Sequence, residues 1–222
     1  MREPMIRSGR LSRQQRLLRT GIGVVGVVAV AALIANALSG GDSSGPDGEP
    51  AVAKVAFAHT TKTTTDAGKP KTAAAKAEAD AIVKILNDWY QRGFVDPRLY
   101  GDGTFGEIAA HFAKDAKVSF TKDVASLTIG DARTLVARVD PTKAAAGITI
   151  FFAKGTKPTF AVAEVVFDAT ATQKQSGQPN ITIKQRGTYH LEKTGNAWKV
   201  VYYTATSSEK PVEPTPSGSP SS

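Results

Sequence analysis

The chain has 222 residues and a formal charge of +8, from 28 lysines and arginines against 20 acids, and it holds no cysteine. Lacking cysteine, it has no disulfide, thiolate metal ligand, cysteine nucleophile or lipid-modified thiol anchor. Nor does the charge mark a nucleic-acid binder: residues 1–20 alone supply +5, and the excess of +4 spread over residues 72–207 is too thin for a polyanion site.

Arg2, Arg7, Arg10, Arg13, Arg16 and Arg19 precede an uninterrupted apolar run, GIGVVGVVAVAALIANAL, at residues 21–38. As a helix rising ~1.5 Å per residue, such a run is ~27 Å long, enough to cross the hydrocarbon core of a bilayer. The arginines of the leader hold the N-terminus on the cytoplasmic side, against the anionic inner leaflet. The expectation is a single-pass signal anchor running from Gly21 through Val25, Val28 and Leu33 to Leu38 in the cell membrane, with everything after it extracytoplasmic. Ala35-Asn36-Ala37 keeps an alternative open, in which signal peptidase cuts after Ala37 and releases a secreted domain.

Residues 39–71 read as a flexible linker. Residues 39–50 (SGGDSSGPDGEP) and 60–71 (Thr and Lys rich) cannot bury enough apolar surface to order themselves, and 33 such residues would span roughly 30 Å. Between them AVAKVAFAH, residues 51–59, has the composition of a short strand pairing with an exposed edge, although Val52, Val55 and Phe57 do not keep one face. The Pro- and Ser-rich residues 207–222 read as a disordered tail.

A folded domain is expected over residues 72–206. Ala79, Ile82, Ile85, Leu86 and Trp89 recur at three- and four-residue spacing and predict an amphipathic helix over 72–92, with Gly93 placed to end it. A shorter helix is predicted over 105–114, with Ile108, Ala109 and Phe112 inward, and a short strand over 116–120. Alternating runs at 148–153, 159–172, 180–193 and 197–205, parted by the turns at Gly155, Ser176-Gly177 and Gly195-Asn196, predict a four-stranded antiparallel meander. In its third strand Ile181, Ile183, Tyr189 and Leu191 share one face, while Thr182, Lys184, Arg186, His190 and Glu192 share the other. The fold class is therefore α+β: two or three helices on a curved antiparallel sheet.

Glu164 and Asp168, set in FAVAEVVFDA, are the charged residues nearest to apolar faces. Folding the hairpin about Ser176 puts Asp168 opposite Lys184 and Glu164 near Thr188, on the solvent face, and leaves Ala161, Ala163, Val165 and Phe167 inside. His59, His111 and His190 lie too far apart in sequence to suggest metal-ligand spacing. Tyr90 and Tyr100 read as packing residues with wet tips. Gly101-x-Gly103-x-x-Gly106 has the letters of a dinucleotide fingerprint but follows a turn, not a strand, and the NIT sequon at Asn180 matters only in a eukaryotic secretory host. No catalytic residue, metal or cofactor is therefore assigned.

The order of elements, and the closing strand Asn196-Ala197-Trp198-Lys199-Val200-Val201-Tyr202-Tyr203, resemble the nuclear-transport-factor-2-like (SnoaL-like) cone fold. With the anchor, the chain is similar to actinobacterial Mce-associated membrane proteins and, more distantly, to bitopic subunits of type IV secretion systems. Enzymes of this superfamily hold a polar dyad, usually Asp with His, Tyr or Arg, inside an apolar cone, and no such dyad is read here. The fold is shared by enzymes and non-enzymatic modules alike; the anchor, the linker and the missing dyad lead to the expectation of a non-catalytic module with an envelope protein partner. The resemblance also leaves open a homodimer, or a lipid or small hydrophobic ligand, or a lyase or isomerase, using the cone. A cone filled by Trp89, Phe112, Phe152, Phe167 and Trp198 would count against the cavity readings.

Overall fold

The computed structural model describes residues 52–66, 72–154 and 157–212. The apolar run at 21–38 with its anchor residues, the cleavage motif at Ala35 and Ala37, residues 39–51 and 67–71 of the expected linker and the tail from 213 lie outside the described residues. Among the described residues no helix is long and apolar enough to cross a membrane.

The fold is α+β, with a curved five-stranded sheet in sequential order β1 to β5. β2 (Val136–Ala153), β3 (Lys157–Gln173), β4 (Ile181–Thr194) and β5 (Ala197–Pro211) form the antiparallel meander. β1 (Ala58–Thr65) lies parallel to the second half of β2, Ala58 opposite Ala145 and Thr65 opposite Phe152. Register shifts at Val136/Arg138, Pro141/Lys143, Phe151/Phe152 and His190/Leu191 are the irregularities through which the long strands bend. Pro141, which cannot donate a ladder bond, sits at one of them, in the part of β2 that β1 does not cover.

One face of the sheet carries the core. The buried alternation runs through Ile148, Ile150 and Phe152, then Ala161 to Ala171, then Ile181, Ile183, Tyr189 and Leu191, then Trp198 and Val200. Against it packs α1 (Thr72–Tyr90), whose Ala75, Ala79, Ile82, Leu86 and Trp89 form the inward stripe. Its other side is laced by the Lys76–Asp80 ion pair. Short elements complete the helical layer: α2 (Gly106–Ala109), α3 (Lys114–Lys122) and α4 (Val124–Leu127). Glu78 fastens α1 to the last hairpin, accepting from Lys193 Nζ at 2.5 Å and from Trp198 Nε1 at 2.8 Å.

The helix expected over 105–114 is only Gly106–Ala109, the strand expected from 148 already begins at Val136, and the strand expected over 51–59 starts only at Ala58; four further details differ from the sequence expectation. Residues 116–120 belong to α3: Ala116 and Phe120 are buried one helical turn apart, while Val118, which a strand would turn to the same side, is 59% exposed. Thr60–Lys71 does not act throughout as a linker, since its threonines to Thr65 lie in β1; an edge strand gains its backbone bonds from β2 and needs no apolar face, and β-branched threonine favours it. β5 runs on to Pro211, into the stretch expected to be tail, because β4 offers it partners as far as Ile181. Gly93 does not stop the chain's winding, which continues as a wider π turn over Gln91–Val95. A Cβ at 93 would lie 3.0 Å from Ile108 Cδ1, so the glycine serves close approach of α2.

Candidate functional site

The odd-numbered residues of β4 face the helices, and besides Lys193, which reaches Glu78, they include two that break the apolar run: Gln185 and Gly187. Gln185 is fully buried and meets Tyr90 from the last turn of α1 and Tyr189 from its own strand, both also fully buried. The Tyr90 hydroxyl donates to Gln185 Oε1, Gln185 Nε2 donates to the Tyr189 hydroxyl at 2.6 Å, and the two hydroxyls stand 3.1 Å apart. Donation from Tyr189 to Tyr90 closes a ring of three in which each hydroxyl both donates and accepts. Gly187 makes the ring fit: a Cβ there would lie 2.5 Å from the Tyr189 hydroxyl oxygen.

Aromatic rings surround this cluster. Tyr90 stacks on Phe94 at 5.0 Å and touches Phe57 at 4.8 Å and Phe167 at 5.1 Å, while Tyr189 meets Trp89 at 4.8 Å. Burial, and then the neighbouring Tyr189, push the Tyr90 phenol well above its usual 10.0; burial pushes Tyr189 up to about 12. Both are neutral near pH 7. The interior thus offers neutral hydrogen-bonding groups at physiological pH. Trp89, Phe112, Phe152, Phe167 and Trp198 are all buried.

A second polar cluster lies where α1 ends. Asp88 accepts from Arg92 Nε at 2.8 Å and lies 2.9 Å from His111 Nε2, and Arg92 reaches on to Glu107. Burial acts to raise the Asp88 carboxyl, but the bonds from Arg92 and His111 outweigh it and hold the group below its usual range. Asp96 is buried and receives Arg98 on both oxygens at 3.0 Å, a bidentate bond that keeps it ionised. Both acids have their charges met by partners on the same face.

The other sequence candidates fall on the solvent side of the sheet. Asp168 pairs across the strands with Lys184 and Glu164 with Thr188, while Ala161, Ala163, Val165 and Phe167 are buried behind them, as the alternation requires. Arg186 turns to Asp168, 2.6 Å away, and its hydrogens go to the carbonyls of Phe167 and Gln185 at 2.9 and 2.8 Å. His190 stands in an aromatic row across four strands, 5.8 Å from Phe160 and 5.4 Å from Tyr202, with Phe151 beyond Phe160 at 5.5 Å. Its half-burial lowers its pKa. His59 sits on β1, 3.5 Å from Asp80. Among the described residues no group of three or more His, Cys, Asp or Glu side chains could hold a metal ion.

Two tyrosines correct the expectation of wet tips. Tyr90 is fully buried, and Tyr100 is buried with its hydroxyl donating to the Phe94 carbonyl at 2.6 Å. Sequence reasoning missed Gln185 and Tyr189 as partners, although the parity that placed Ile181 and Ile183 inward places Gln185 and Gly187 there as well. The signal was a polar residue and a glycine on an inward register. No family model, curated protein or solved structure matches the chain.

Proposed function

We propose that the chain is a non-catalytic, single-pass membrane protein. Its domain, a nuclear-transport-factor-2-like cone facing out of the cytoplasm, acts as a binding or assembly subunit of a cell-envelope transport or secretion complex, in the manner of Mce-associated proteins. The observation that carries this reading is the aromatic-packed interior, whose Tyr90–Gln185–Tyr189 ring is neutral and is not the ionisable dyad that an enzyme of that superfamily would be expected to hold. Of the charged groups that could do acid–base work, Asp88 pairs with His111, Asp168 stands beside Arg186, His190 packs between Phe160 and Tyr202, and Glu164 lies across from Thr188 on the solvent side of the sheet. The leader arginines and the apolar run at 21–38 supply the address.

Complementation of a deletion strain tests it. Alanine at His111, Glu164, Asp168 and His190 together should leave function intact, and removing residues 21–38 should abolish it. Loss of function in the fourfold variant with the fold retained would overturn the non-catalytic reading.

A further inference from the structure

The arm ahead of β1, residues 52–57, runs along the end of α1 without joining the sheet. It is held chiefly by its backbone. Gln91 Nε2 donates to the Ala53 carbonyl at 3.0 Å, Gln91 Oε1 accepts from the Val55 N–H at 2.9 Å, and Asn87 Oδ1 accepts from the Phe57 N–H at 2.9 Å. Asn87 and Gln91 are four residues apart on one face of the winding chain, so their amides stand in for the ladder that a neighbouring strand would offer. Only alternate side chains are buried: Val55 at 7% exposure and Phe57 at 5%, the latter edge-on against Tyr90. Lys54 and Ala56 are exposed. Beside the arm the surface stays open as a depression of about 410 Å³, in which Lys54 faces the same space as Asp88, Asp96 and Arg98.

Backbone bonds in an extended register with pockets for alternate side chains are how folded domains capture extended peptides. We propose that this end of α1 is a recognition groove for an extended partner segment with a basic residue, an aliphatic residue directly after it and an aromatic two positions further on. The chain's own residues 52–57 occupy the groove in cis until such a segment displaces them. The occupant itself supplies the pattern, Lys54-Val55-x-Phe57, with its basic residue at the depression that Asp88, Asp96 and Arg98 line. The groove lies wholly within the described residues, so this inference does not depend on the membrane anchor.

The test uses the full chain in mild detergent and a fluorescent peptide of residues 52–60, VAKVAFAHT. Fluorescence anisotropy should show saturable binding to the Val55→Ala/Phe57→Ala variant at least tenfold tighter than to wild type, whose groove is filled. Adding Asn87→Ala and Gln91→Ala, or giving the peptide serine at both anchors, should abolish it. Equal or absent binding to wild type and a folded arm variant would overturn the proposal. If the arm variant fails to fold, hydrogen exchange on wild type decides: excess peptide should speed exchange at the Val55 and Phe57 amides alone, and unchanged rates would overturn it.

Discussion

Replacing Tyr189 by Phe removes one oxygen from the buried ring and keeps the shape. Gln185 Nε2 then loses its acceptor at 2.6 Å and the Tyr90 hydroxyl loses its neighbour at 3.1 Å, in a place water does not reach. A buried donor left unmade costs about 1–3 kcal/mol, so the substitution should destabilise by roughly 2 kcal/mol. For a domain of this size that lowers Tm by about 4–8 °C. Tyr90→Phe strands Gln185 Oε1 and should cost a similar amount. Gln185→Met leaves the two hydroxyls each other and should cost about 1 kcal/mol. The triple variant Tyr90→Phe/Gln185→Met/Tyr189→Phe strands nothing. It should lose less than about 2 kcal/mol, well short of the roughly 5 kcal/mol sum of the singles. Urea titrations of the four variants at constant m-value measure this. If the triple equals the sum within ~0.5 kcal/mol, the three groups do not act as a unit and the ring is not what closes the interior.

Gly187→Ala drives a methyl to within 2.5 Å of the Tyr189 hydroxyl and 2.6 Å of its Cζ. The overpacking should cost about 1–3 kcal/mol by thermal melt, and an unchanged Tm would mean that the ring has room it does not show. Stability should fall above pH 10, because the unfolded tyrosines ionise there while Tyr90 and Tyr189 stay neutral. Each such group contributes a slope of about 1.4 kcal/mol per pH unit, and for Tyr189 the fall ends near its folded pKa of about 12. Tyr189→Phe should make that fall shallower, and an equal slope would contradict its raised pKa. Glu78→Ala should cost about 1–3 kcal/mol by releasing Lys193 and the Trp198 indole together, with Glu78→Gln recovering part of it through the indole bond. Denaturation with Trp198 fluorescence separates the two, and equal losses would mean that the indole bond contributes nothing.

Much of the frame is written in side-chain period. The two-residue alternation of β3 and β4 set which side Glu164 and Asp168 take, and the Ser176-Gly177 turn, with Gly177 at φ 81°, set their hairpin partner. The stripe of α1 was equally plain. Apart from Gln185, whose inward register was readable, what escaped had no clear periodic signature. β1 is almost wholly exposed, so its threonines carry strand propensity and no face. Residues 116–120 offered too short a window to separate a step of two from a step of four. The arm's anchors, Val55 and Phe57, keep a strand-like step, but their hydrogen bonds come from helix side chains, which no local pattern reveals. Tyr90 looked amphipathic at a helix end because its partner Gln185 is 95 residues away. The interior cluster exists only once β4 closes over α1.

The measurement that bears most directly on the proposed role is native mass spectrometry of the full chain, extracted from its own membrane in mild detergent. The account predicts an intact particle heavier than the chain by a second polypeptide, retained in the fourfold alanine variant and lost when residues 21–38 are removed. A chain carrying only an excess of a few hundred daltons, or one recovered alone from the soluble fraction, would contradict it.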